Sequence, residues 1–155
     1  MAQDADRGGA GTPCPDTTEQ ENKAIALRHI EEARNGQNLA VVDDLFAPDH
    51  VHHRAVGPDE RGIEARRRSL AAWHAAFPDL RHHVEDVIAE GDKVAVRYTA
   101  RGTQRGEFQG IAPSGGPVAW TGVFIFRIAC GRIAETWVAT DALTQIRRAA
   151  ANPTP

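Results

Sequence analysis

The sequence predicts an α+β domain, with helices first and a curled sheet after them. Two changes of rhythm lead there. Up to about Phe77 the apolar residues recur at helical spacing, and from Leu80 onward they alternate with polar ones. A third observation sets the scale: 155 residues, 41% hydrophobic and 25% charged, suit one globular core and are too few for two. Helices followed by hairpin-linked strands form an antiparallel sheet over helices, with room for a ligand between the layers.

Residues 1–18 are polar and rich in Gly and Pro, and read as a disordered tail ahead of a domain over 19–150. Thr18 and Glu21 have the spacing of a capping box. Ala26, Ile30 and Ala33 extend the helix they open, and Asn35-Gly36 stops it. Asn38 can cap a second helix running through Leu39, Val42 and Leu45 to Phe46, ended by Pro48. His50–His53 reads as a short extended segment before the Gly57-Pro58-Asp59-Glu60 loop. A third helix spans Gly62–Ala76. Leu70, Trp73 and Phe77 mark its buried stripe, while Arg66, Arg67 and Arg68 read as a solvated face without a role. Four strands follow, at Arg81–Ala89, Lys93–Gly102, Val118–Ile128 and Arg132–Thr140, and a closing helix spans Ala142–Ala150.

The formal charge of −3 argues against nucleic-acid binding, which wants a basic face. No apolar run is long enough to cross a bilayer, and no basic-then-apolar leader opens the chain. Cys14, in the tail, and Cys130, near a turn, are the only cysteines. They read as free thiols of a cytoplasmic protein rather than as a bridge.

Several phrases carry a family likeness. They are Glu21-Asn22-Lys23-Ala24-Ile25, Leu45-Phe46-Ala47-Pro48-Asp49-His50-Val51, Ala76-Phe77-Pro78-Asp79-Leu80 and Val84-Glu85-Asp86-Val87-Ile88-Ala89-Glu90-Gly91-Asp92-Lys93-Val94. Later come Gly102-Thr103, Gly106-Glu107-Phe108, Trp120-Thr121-Gly122, Phe126-Arg127-Ile128, Gly131-Arg132-Ile133 and Glu135-Thr136-Trp137 before Asp141. Over residues 20–148 this ordered set resembles the SnoaL-like polyketide cyclases of the NTF2-like superfamily. The resemblance implies a cone-shaped barrel, a curved antiparallel sheet over N-terminal helices, and a homodimer or higher oligomer formed through the sheet's outer side. It also implies an intramolecular aldol ring closure of an anthracycline precursor with no metal or redox cofactor, driven by an acidic pocket residue. In an ungapped alignment from Phe126 onward, that acid of the aklanonic-ester cyclases falls on Val138. Their pocket His and Gln fall on Phe124 and Gly122.

Asp141, between the last strand and the final helix, reads either as an N-cap or as the acid/base, its pKa raised beside apolar walls. Of the His50, His52 and His53 cluster, His50 and His52 share one strand face. No Asp, Glu or Cys accompanies them at zinc spacing, so no metal is expected. His52 or His53 can instead exchange protons in a cavity, or both can sit at a solvated strand end. His82 and His83 read as surface or edge residues. By the resemblance, mid-strand Arg97 pairs with a pocket carboxylate or a substrate oxygen. Trp120, Phe124 and Phe126 share a face, and Trp137 is expected beside them; the rings serve as core and as a stacking wall.

The expected function is a cofactor-free tailoring enzyme for an aromatic polyketide or similar apolar molecule, with Asp141 as acid/base and His52, His53 and Arg97 as auxiliaries. A ring hydroxylase on the same fold, alone or with a reductase, is the alternative. A non-catalytic small-molecule binder is the third reading.

Overall fold

The structure is a computed structural model that describes residues 13–153. Most of the tail expected over 1–18 therefore lies outside the described residues. Helix α1 (Glu19–Arg28) opens with the capping box: Thr18 Oγ1 accepts from the Glu21 amide, and Glu21 Oε2 accepts from the Thr18 amide. The helix then runs without a break into a π-helical stretch, His29–Asn35, a wider winding that periodicity does not announce. Asn38 caps a 3₁₀ turn (Leu39–Val41) that leads into α2 (Val42–Leu45). This second helix is shorter than expected. Strand β1 starts already at Phe46 and runs to His53, so Pro48 lies within a strand rather than after a helix. The strand hydrogen-bonds only at scattered points along its parallel neighbour, with a register shift between Phe46 and Val51, which leaves a place for a residue with no amide hydrogen. The short strand β2 (Glu60–Arg61) and helix α3 (Ile63–Ala76) come next.

Strands β3 (Arg81–Glu90), β4 (Lys93–Thr103), β5 (Pro117–Ala129) and β6 (Arg132–Thr140) follow the expected limits within a residue, and α4 (Ala142–Ala151) closes the domain. They form one six-stranded sheet in the order β2-β1-β6-β5-β4-β3. Here the expectation of a wholly antiparallel sheet is corrected: β1 pairs with β6 in parallel, so the sheet is mixed, and it does not close into a barrel. A helical crossover cannot be told from a hairpin by strand periodicity alone, and β1 reaches β6 across the entire domain.

The inner face of the sheet is set by simple alternation. Val94, Val96, Tyr98 and Ala100 on β4, and Val118, Trp120, Phe124, Phe126 and Ile128 on β5, are all buried. Against them pack Ala26, Ile30 and Ala33 from the first helix and Leu70, Ala76 and Phe77 around α3.

The two cysteines are also corrected. Cys14 and Cys130 form a disulfide, with Cα atoms 5.3 Å apart, that ties the segment before α1 to the β5–β6 hairpin. Cys130 and Gly131 make that hairpin a tight one, with φ of 54° and 71°, the left-handed pair a two-residue turn needs. The tight turn pins Cys130 in place, and Cys14 sits close enough to α1 to reach it. The pairing is invisible in sequence because 116 positions separate the two. Chemical reduction should lower the unfolding free energy by about 2–4 kcal/mol, read from urea denaturation with and without reductant.

Candidate active site

Between the inner face of the sheet and the helices lies a cavity of about 250 Å³. Trp73, Phe108, Trp120 and Phe124 give it aromatic walls, with Trp73 and Phe108 centroids 4.1 Å apart and Trp73 and Trp120 5.7 Å apart. Among these rings stand buried polar side chains from five elements: Arg34, His52, Arg66, His82 and Tyr98. Arg54, Glu60 and the exposed Glu107 complete the rim, and Arg54 Nε stands 3.7 Å from Glu60 Oε1.

Each polar group is delivered by local structure. Arg34 arrives from the π-helical stretch, where its Nε donates to His29 Nε2 at 2.9 Å and its guanidinium lies 4.4 Å from the centroid of Phe124. Arg66 lies on α3 at the head of the series Arg66, Leu70, Trp73, Phe77, a true helical stripe, and is 2% exposed. Its Nη2 donates to Ser69 Oγ at 3.2 Å, while its buried Nε has no partner. His52 alternates with the buried His50 along β1, and His82 faces inward opposite Ala100.

Charge in this cavity is net positive, with Arg34, Arg54 and Arg66 facing Glu60 and the exposed Glu107. Among the described residues neither Arg34 nor Arg66 makes an ion pair within 4.0 Å. Burial, with mutual repulsion adding to it at Arg34, pulls their guanidinium pKa values down to about 9 and about 10. Both remain charged at neutral pH. Burial first, and then the two arginines, push His52 down to about 2. Burial and Arg34 hold His82 well below its ordinary value. These imidazoles are neutral, and burial raises the Tyr98 phenol. The Nδ1 atoms of His52 and His82 are buried without a protein partner. The arrangement can therefore donate to ligand oxygens through Arg and Tyr and exchange a proton through His. No group of three or more His, Cys, Asp or Glu side chains that could hold a metal ion occurs among the described residues.

The residues singled out from sequence separate into two sets. His52, Trp120 and Phe124 line the cavity, and Phe126 is buried deeper against His29, at 5.5 Å between rings, rather than on the cavity wall. Four others lie elsewhere, and their assignments are corrected. Asp141 is exposed; its carboxylate accepts from Gln145 Nε2 at 2.9 Å and the Thr121 amide at 3.1 Å, which hold its pKa below the usual value rather than above it. Arg97 is on the outer face, 2.6 Å from Asp86 Oδ2. His53 also turns outward, its ring nitrogens 3.0 Å from Asp59 Oδ2 and 2.7 Å from Glu135 Oε2. It stacks at 5.1 Å on Trp137, which β6 likewise directs away from the cavity. Parity along each strand explains all three outer residues: a one-position step reverses the face. Accordingly, Asp141→Asn should leave turnover within about threefold of wild type in steady-state assays.

Arg34, Arg66 and His82 were missed. Each had a signal: Arg34 is four residues after buried Ile30, Arg66 four before Leu70, and His82 alternates with Leu80 and Val84. The buried face does not spare a residue for being charged.

A small hollow with aromatic walls and a few converging polar groups defines a small-molecule pocket protein. The family model for the SnoaL-like polyketide cyclase matches residues 24–148, and the chain belongs to that family, with an NTF2-like α+β fold. Among solved structures it is similar to a candidate SnoaL-like polyketide cyclase from Jannaschia sp. CCS1, with 30% identity and TM-score 0.81, covering 95% of this chain and all (100%) of the other. AclR from Streptomyces galilaeus, described as a candidate hydroxylase, is 29% identical with TM-score 0.73 and 89% of each chain covered. IdmH from Streptomyces antibioticus, described as a candidate polyketide cyclase, is 30% identical with TM-score 0.69, covering 82% of this chain and 96% of the other. No curated protein matches the chain.

Proposed function

We propose that this chain is a tailoring enzyme that closes a ring in an aromatic polyketide, or a similar flat apolar molecule, by aldol-type acid/base chemistry in the aromatic-walled cavity. The observation that carries the reading is His52, a buried imidazole with a free ring nitrogen inside a cavity walled by Trp73, Trp120 and Phe124. In this reading the rings stack on the substrate and exclude water. His52 exchanges the proton α to a carbonyl, and Tyr98 with the two arginines donates to the oxygen that gains charge as the enolate forms. The family membership and the likeness to IdmH support it. Incubation with aromatic polyketide esters should give a product of unchanged mass, or one that has lost only water, in air and under nitrogen alike.

A second reading, a ring hydroxylase, is favoured by one observation. Val138 lines the cavity where the resemblance sets the cyclases' carboxylate, and Gly122 cannot carry their Gln, since a Cβ there would stand 2.5 Å from the Tyr98 hydroxyl. AclR supports it too. Hydroxylation would add one oxygen to the product and consume O₂; that outcome would replace ring closure.

We further propose a homodimer through the outer sheet face, where Ile88 and Ile125 are 65% and 38% exposed. Light scattering at micromolar concentration should give twice the chain mass. No helix among the described residues is long and apolar enough to cross a membrane. The Cys14–Cys130 bond favours oxidising surroundings over the cytoplasm expected from the sequence.

A further inference from the structure

Two buried cations in one small cavity demand a counter-charge. Taking an ion out of water is costly unless it is paired, and like charges close together add to the cost. Arg34 and Arg66 both line the cavity, are 7% and 2% exposed, and have no carboxylate within ion-pair distance. One acid answers them in part: Glu60 Oε1 stands 3.7 Å from Arg54, its buried Oε2 has no hydrogen-bond partner, and its charge favours the charged form of Arg66. Glu107 is exposed on the rim, and three arginines against these two carboxylates leave the lining net positive. His52, His82 and Tyr98 bring no negative charge. Apolar or neutral polar residues would fill this volume at less cost, so the charges belong to what the cavity takes in.

We infer that the cavity is built for a ligand that is already an anion, a flat aromatic molecule whose delocalised oxyanion, a carboxylate or an ionised 1,3-dicarbonyl, lies against Arg34 and Arg66. This rests on the small-molecule reading above and narrows its substrate class. The guanidinium forks match a planar oxyanion, and Arg66 Nε is free to donate to it. Phe124, already under Arg34, gives the ring system a surface continuous with the charge. A consequence follows for His52. Its basicity is suppressed partly by the same two arginines, so an anion that neutralises them returns the imidazole toward the range of a working base. Burial, the larger cause, stays in place, so the ligand relieves the arginines' share alone.

The test uses three flat probes on the full chain: 2-naphthoate, its neutral counterpart 2-naphthamide, and 2-acetylindane-1,3-dione, which ionises to a flat enolate. Binding is read by quenching of tryptophan fluorescence, since Trp73 and Trp120 line the cavity, and by thermal shift. At low salt and neutral pH, one anion or both should bind at least about tenfold tighter than the amide. Which anion wins assigns carboxylate or enolate. Arg66→Met, which keeps length and removes the charge, should reduce that preference below about threefold and raise the melting temperature of the free protein. If Arg66→Met does not fold, the wild-type comparison of the probes decides alone. Equal affinity for amide and anions, or a preference that persists in Arg66→Met and Arg34→Met, overturns the anion and leaves the apolar cavity standing. Failure of all three probes to bind overturns both.

Discussion

Turnover by His52→Gln protein should fall by about 10²–10⁴-fold while ligand affinity, titrated by tryptophan fluorescence, stays within about threefold. Glutamine keeps a polar group of similar reach in the cavity but cannot cycle a proton. A drop in affinity that matches the drop in turnover would make His52 a wall residue instead. The prediction is sharp because His50 provides an internal control. It is 0% exposed on the same strand face, yet its Nε2 is committed to Thr136 Oγ1 at 2.9 Å, and it does not line the cavity. Its replacement should act on stability and not on the chemical step. His53, one residue from His52, offers the opposite control, since it faces solvent and Trp137.

Acid should unfold this protein well before it would unfold a typical domain. His50 and His52 have folded-state pKa values near 3 and 2, chiefly through burial, and His29 and His82 are shifted the same way. The sign follows from linkage. Above the unfolded value, about 6.5, both states are neutral and the folded state loses nothing. As pH falls below it, the unfolded chain takes up protons that the folded chain refuses, and stability drops. His50 and His52 each cost about 2 kcal/mol between pH 7 and pH 5, and His29 and His82 act in the same direction. His50 and His52 alone reach about 4 kcal/mol if neither site relaxes, a large part of the stability of an ordinary domain. Urea denaturation across that range should show a steep loss with falling pH, with an uptake of at least about two protons on unfolding. His52→Gln should remove about one of them. A flat profile would mean that the imidazoles are wetter than their burial implies.

The fold was legible because each element announces itself through spacing: 26, 30 and 33 on the first helix, alternate positions from 94 to 100 on β4. The site was only half legible. Trp120 and Phe124 follow from strand parity and did fall on the cavity. Trp137 and Arg97 were misplaced because parity needs a reference position, and motif likeness provides none. Asp141 was attractive as an acid at a strand end, but the chain there turns outward into α4, and Gln145 four residues on claims the carboxylate. Arg66 was lost to a habit, reading three consecutive arginines as solvent-facing, although only two of the three leave the stripe: Arg66 is buried, Arg67 reaches Asp43 at 2.9 Å, and Arg68 is exposed.

The winding of residues 29–35 has a consequence for how such a cavity can change. In an α-helix, positions five apart stand about 140° from each other around the axis. His29 and Arg34 are five apart and yet touch, because the stretch between them is coiled one step wider. Excising one residue there, Glu31 or Glu32, would restore ordinary winding, and His29 and the arginine would then stand four apart, still on one side of the helix. The helix would survive with its guanidinium still over the hollow. The wide turn thus absorbs one extra residue without moving the cation, and a lineage could gain or lose that residue with every side chain that lines the walls left as it was.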